Sequence, residues 1–138
     1  MTNYAGDVSP ADAYAALQHD PTAVLIDVRT KPEWAYVGVP DLDILGKPVH
    51  LIEWSGYPDG AHNEGFIAEL AEAGVGQDAP LYFICRSGVR SAAAAAAATA
   101  AGFGPAYNVI GGFEGDLDPA GHRGVGGWKS AGLPWRQG

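Results

Sequence analysis

The sequence has a single cysteine, Cys85, and a single methionine, Met1. One cysteine excludes an internal disulfide and any mechanism that needs a second, resolving cysteine in the same chain. Basic residues are scarce, 8 against 16 acidic ones, for a formal net charge of −8. A negative field of this size repels phosphate backbones and anionic lipid, so neither nucleic acid nor a membrane is expected as a partner. No stretch approaches the roughly 20 apolar residues that span a bilayer, and residues 1–6 show no basic segment leading into an apolar run. A cytoplasmic protein is the expectation. His19, His50, His62 and His122 lack metal-ligand spacing, so no metal is expected, and nothing else in the chain points to a cofactor.

What is present suits one α/β domain. A chain of 138 residues buries roughly 70% of its unfolded surface on folding, enough to hold together without disulfides. We read residues 1–8 as an N-terminal arm and 9–138 as the domain. Ser9-Pro10-Ala11-Asp12 sets a capping residue before a first-turn proline and an early acid, and opens a helix to about residue 18. Residues 23–28 form a short apolar run interrupted only by Asp27, the pattern of a strand buried on both faces. Thr30-Lys31-Pro32-Glu33 has capping-box spacing and predicts a short helix through Tyr36.

Residues 38–60 are rich in glycine, proline and aspartate and predict a long connection around one extended stretch at 49–52. An amphipathic helix follows over 63–73, with Phe66, Ile67 and Leu70 on one face and Gly74 as its stop. Residues 81–84 are a second buried strand, 85–90 a loop, and 91–101 an alanine-rich helix ended by Gly102. A third strand spans 107–110 and closes on Gly111-Gly112. Beyond it, 116–127 read as irregular and 128–132 as a last short helix. Strands alternating with helices argue a parallel, doubly wound sheet.

The chemistry concentrates in Cys85-Arg86-Ser87-Gly88-Val89-Arg90-Ser91. In open α/β sheets ligands bind beyond the carboxyl ends of the strands, where this loop must lie. Its amides can curl toward one centre at the start of a helix, and Gly88 supplies the freedom to do so. A free thiol ionises near about pH 8.5. A helix terminus contributes up to about 2 kcal/mol towards the thiolate, and two nearby guanidinium groups push the same way. If Arg29, Arg86 and Arg90 converge, they make one positive pocket in a negative exterior, suited to small anions. A thiolate so placed attacks the outer sulfur of a donor such as thiosulfate, releases sulfite and keeps a persulfide. A thiol, a protein or cyanide then takes the sulfur.

These residues resemble the rhodanese homology family from about Ser9 to Pro134. The likeness lies in Leu25-Ile-Asp27-Val-Arg29 with Glu33-Trp34, in the cysteine loop, in Asn108-Val-Ile-Gly-Gly112, and in Gly127-Trp-Lys-Ser-Ala-Gly-Leu-Pro134. The resemblance implies a parallel central sheet with helices on both faces, Cys85 as persulfide carrier, and loop amides from Arg86 to Arg90 around the sulfur. It also implies that Asp27 and Arg29 lie beside the loop, with Asp27 accepting hydrogen bonds that fix its shape. Where the family commonly has Gly-His-Ile-Pro-Gly-Ala, this chain has Gly38-Val39-Pro40-Asp41-Leu42. Trp34 and Trp54 are candidates for the pocket rim.

Two rival readings share the cysteine. A cysteine phosphatase or arsenate reductase also joins a cysteine, an anion nest and an arginine, but the interval from Cys85 to Arg90 is one residue shorter than in phosphatases. A sulfur carrier or regulatory module would use the same thiol with little turnover of its own.

Overall fold

The computed structural model describes residues 4–56 and 60–137. Its centre is a five-stranded sheet built from β1 (Gly6–Val8), β2 (Val24–Asp27), β4 (Val49–Leu51), β5 (Leu81–Ile84) and β6 (Ala106–Val109). The spatial order is β1-β6-β5-β2-β4, and every pairing is parallel. Crossover helices α1 (Pro10–His19), α3 (Phe66–Glu72) and α4 (Val89–Ala100) supply the long connections that parallel strands need. The shorter α2 (Lys31–Tyr36) follows β2.

Alternation along the strands divides the interior into two layers. Ile26, Val28, Leu81, Phe83 and Cys85 face α3 and α4 together with Phe66, Leu70, Ala94, Ala95 and Ala98. Leu25, Tyr82, Ile84 and Val109 face the other way, onto Ala13 and Leu17 of α1 and onto Phe113 and Trp128. The alanines of α4 let that helix lie against β5 and β6 without bulky side chains between them. The first-turn signals hold: Ser9 Oγ accepts the Asp12 amide at 3.1 Å, and the Thr30–Glu33 capping box forms.

Four expectations are corrected. The alanine helix begins at Val89, not Ser91, because Gly88 takes a left-handed φ of +111° and turns the chain into the helix two residues early. The helix expected from 63 starts at Phe66, since Asn63 spends its side chain on the Gly65 amide. The irregular stretch holds a small antiparallel pair, β7 (Asp116–Leu117) with β8 (Arg123–Val125). No helix forms at 128–132, where the chain is a turn whose Trp128 amide bonds Gly112 at 2.8 Å and whose indole N–H bonds the Pro134 carbonyl at 2.7 Å. Two short strands were not foreseen, β3 (Val39–Pro40) and β9 (Trp135–Arg136), which pair antiparallel. The arm also contributes: β1 is an edge strand on β6. Among the described residues no helix is long and apolar enough to cross a membrane.

Candidate active site

Cys85 is the first residue past β5, in the middle of the sheet. The side chain is 1% exposed. Its Sγ accepts the Gly88 amide N–H at 3.1 Å and lies 3.2 Å from Ser91 Oγ, in the first turn of α4. The loop thus curls over the sulfur instead of opening outward, and of its amides Gly88 is the one in hydrogen-bond contact. A neighbouring turn holds the loop in place, because Phe113 N–H bonds the Cys85 carbonyl at 2.7 Å and Glu114 N–H bonds the Arg86 carbonyl at 3.1 Å. Arg86 is exposed, Ser87 half-buried and Val89 78% exposed.

Arg90 sits in the first turn of α4 and makes a two-pronged ion pair with Glu33 of α2, at 2.8 and 3.0 Å. Burial alone would raise the Glu33 pKa, but hydrogen bonds from Arg90 and from the Thr30 amide, with the Arg90 charge, overcome it and hold the carboxyl at about 2. Arg90 is raised in turn, first by its bonds to Glu33, with the Glu33 and Asp27 charges, and that of Cys85 when it is ionised, adding negative field. Because the Glu33 pKa is depressed from its ordinary 4.5, the stability it confers is present above about pH 4.5 and is lost as pH falls towards 2. Glu33→Gln is expected to cost about 1–2 kcal/mol at pH 7, allowing for partial exposure of the pair. Urea melts from pH 6 downward check this: the gap between the two proteins should narrow as acid protonates the native glutamate.

Asp27 and Arg29 are both fully buried and pair with each other. Arg29 Nη2 donates to Asp27 at 2.7 Å and to the Gly38 carbonyl at 2.6 Å, its Nε also donates to the carboxylate, and its guanidinium stacks 4.3 Å from the Phe113 ring centre. The Asp27 carboxylate also takes the Arg29 amide at 3.1 Å. Among the described residues the hydrogen bonds of this carboxylate all go to Arg29 and none to the cysteine loop, so the pair steadies the loop through Phe113 and not directly. The three arginines do not form one positive pocket: Arg29 and Arg90 are each matched by a carboxylate, and Arg86 alone has no ion-pair partner among the described residues.

A cleft of about 490 Å³ opens beside the loop, lined by Thr30, Glu33, Arg86, Arg90, Glu114 and the Gly56 and Gly60 backbone among others. Neither tryptophan is on its rim. Trp54 packs edge-on against Phe66 and His62, because an indole gains more from apolar contact than from standing in solvent. Trp34 lines a separate hollow with Lys31 and Arg136. A larger groove of about 830 Å³ lies along α4 and holds no cysteine, histidine or carboxylate.

Sequence reasoning passed over Glu33, Glu114 and Asn108 as site residues. Asn108 had a signal: it is a polar residue in an apolar strand, and buried polar groups require partners. Its Oδ1 accepts Ser91 Oγ–H at 2.6 Å.

A central parallel sheet with helices on both faces and a cysteine loop at its carboxyl edge is a rhodanese-like fold, and comparison with known proteins gives the same fold and family. The profile of the STR4 middle domain matches residues 5–138. The crystal structure of Rv0390 from M. tuberculosis superposes with a TM-score of 0.91 at 53% identity, covering 98% of this chain and 99% of that one. The polysulfide-sulfur transferase homodimer from Wolinella succinogenes gives 0.64 at 25% identity, over 99% and 80%. The chloroplastic protein THYLAKOID RHODANESE-LIKE of Oryza sativa subsp. indica is 30% identical across 94% of this chain, which spans 25% of that protein. The chain belongs to the STR4 middle domain family of rhodanese-like domains, a family of sulfurtransferase type.

Proposed function

We propose that the chain transfers sulfane sulfur through a persulfide on Cys85. The observation that carries this reading is the curl of the loop onto the thiol, with the Gly88 N–H on Sγ, at the carboxyl edge of the sheet. In the first half-reaction the Cys85 thiolate attacks the outer sulfur of a small anionic donor such as thiosulfate. The donor's S–S bond breaks, sulfite leaves with the bonding pair, and the outer sulfur stays on Cys85 as a persulfide anion. In the second, an acceptor thiolate or cyanide attacks that terminal sulfur and the Cys85 thiolate departs. Polysulfide, named for the Wolinella relative, is a second donor of the same chemical type.

The charge pattern of the cleft bears on the donor. Arg90 is neutralised by Glu33, so a donor anion meets Arg86 and the loop amides as its partners. The same pairing disfavours a phosphatase, which needs its loop arginine free to clamp a tetrahedral oxyanion. Incubation with thiosulfate, and separately with polysulfide, should add one sulfur mass to the wild type and none to Cys85→Ser. An unmodified wild type under both donors would defeat the proposal, as would robust phosphate-ester turnover.

A further inference from the structure

Beyond the cysteine loop, the sulfur is wired to the protein surface through three side chains. Ser91 Oγ lies 3.2 Å from Cys85 Sγ and donates to Asn108 Oδ1 at 2.6 Å. Asn108 Nδ2 donates to Asp7 Oδ1 on β1 at 3.0 Å, and the Tyr4 hydroxyl donates to the same oxygen at 2.8 Å. Cys85, Ser91 and Asn108 are buried, whereas Asp7 is exposed.

Proton counting gives this chain a direction. A serine hydroxyl has one proton and a carboxylate has acceptors only. The Asp7 carboxylate turns the Asn108 amide so that its NH₂ faces outward and its carbonyl faces Ser91. Ser91 must then give its one proton to Asn108, and it turns a lone pair to Cys85. The thiol answers that lone pair with its own S–H, and the Gly88 amide satisfies the sulfur from the other side. In the thiolate or the persulfide, Sγ carries no proton, and two electron-rich atoms face each other across the Ser91 contact. Relief requires the Ser91 proton to swing to sulfur and the Asn108 amide to flip, which would set its carbonyl against the Asp7 carboxylate.

We propose that Asp7 is a positioning residue that sets the polarity of this relay and so holds resting Cys85 as the thiol. The inference rests on the sulfur-transfer reading for its functional meaning, since donor attack then has to work against the Asp7 setting. The raised pKa of Tyr4, caused first by its hydrogen bond to Asp7 and then by burial and the Asp7 charge, fits a carboxylate that takes protons from both neighbours. The other charges grouped at the loop are the Arg90–Glu33 and Arg29–Asp27 pairs, Arg86 and Glu114; among the described residues none hydrogen-bonds to the relay, and Arg90 acts on Cys85 through its charge.

The test is Asp7→Asn, whose amide tolerates either orientation of Asn108. Thiolate is read from absorbance near 240 nm as a difference from Cys85→Ser, and the titration is repeated in low salt and in about 1 M salt, where charges are screened beyond about 3 Å. We expect the thiolate fraction at pH 7 to rise about threefold or more, to the same extent at both ionic strengths, and the effect to shrink below about twofold in a Ser91→Ala background. An unchanged fraction, a rise that disappears in salt, or an equal rise without Ser91 would overturn the proposal. Should Ser91→Ala not fold, the salt series on Asp7→Asn decides alone. Mass analysis after thiosulfate, on the same samples, separates the two ideas. Persulfide without a thiolate change removes the relay and keeps sulfur transfer; a thiolate change with no persulfide on either protein does the reverse.

Discussion

Asp27→Ala is expected to lower the unfolding free energy by about 3–5 kcal/mol, because it leaves the Arg29 guanidinium buried with no counter-charge. Both side chains are 0% exposed, and Arg29 directs Nε and Nη2 to that one carboxylate. The Gly38 carbonyl and the Phe113 ring remain as partners, but neither supplies a negative charge. Set against a usual total of about 5–15 kcal/mol, the loss brings the domain close to its threshold. Urea unfolding at pH 7 measures it, and a change below about 1 kcal/mol would show that the pair is not sealed from water. Replacing both partners with apolar residues of similar size should cost much less than removing Asp27 alone.

The second large effect is expected at a position with no side chain. Gly112 has φ +59°, and a methyl group there would sit 2.4 Å from the Cys85 carbonyl oxygen and 2.5 Å from the Arg86 carbonyl carbon. Those are backbone atoms of the cysteine loop, so relief requires the loop to move. Gly112→Ala should therefore slow persulfide formation by about a hundredfold, the scale seen when a reacting group is displaced by about 1 Å. Gly74→Ala is the control. That residue also has positive φ, +84°, but nothing lies within 4 Å of the added carbon. It should lose about 1–2 kcal/mol of stability from backbone strain alone and keep its transfer rate per folded molecule. Equal rates in the two variants would mean that the turn does not shape the loop.

The elements legible in the sequence were those with strong local signals. The runs at β2, β5 and β6 are predominantly apolar, broken only by Asp27 and Asn108, because both their faces are covered, and the caps at Ser9 and Thr30 are chemical signatures readable in four residues. Cys85 stood out by its loop. What was hidden is non-local. The turn at Trp128 has helical spacing, yet its amide and indole are claimed by Gly112 and Pro134. Glu33 read as a cap and proved also to be the partner of Arg90, 57 positions away. Trp54 looked like a rim residue because it lies in a loop, and apolar contact with Phe66 draws it inward. The condition that three arginines converge left the carboxylates out of account, and no pattern along the chain showed that Arg90 would meet Glu33.

The surroundings of the thiol are gathered from remote parts of the chain. Asp7 meets Asn108 across 101 positions, and the turn that braces the loop is itself braced by Trp128. No fragment carries the setting: losing the Trp128 brace frees the loop, and losing the Asp7 contact frees the Asn108 amide to turn. The state of the sulfur is thereby coupled to the integrity of the entire fold, from the β1 edge strand to the turn at Trp128.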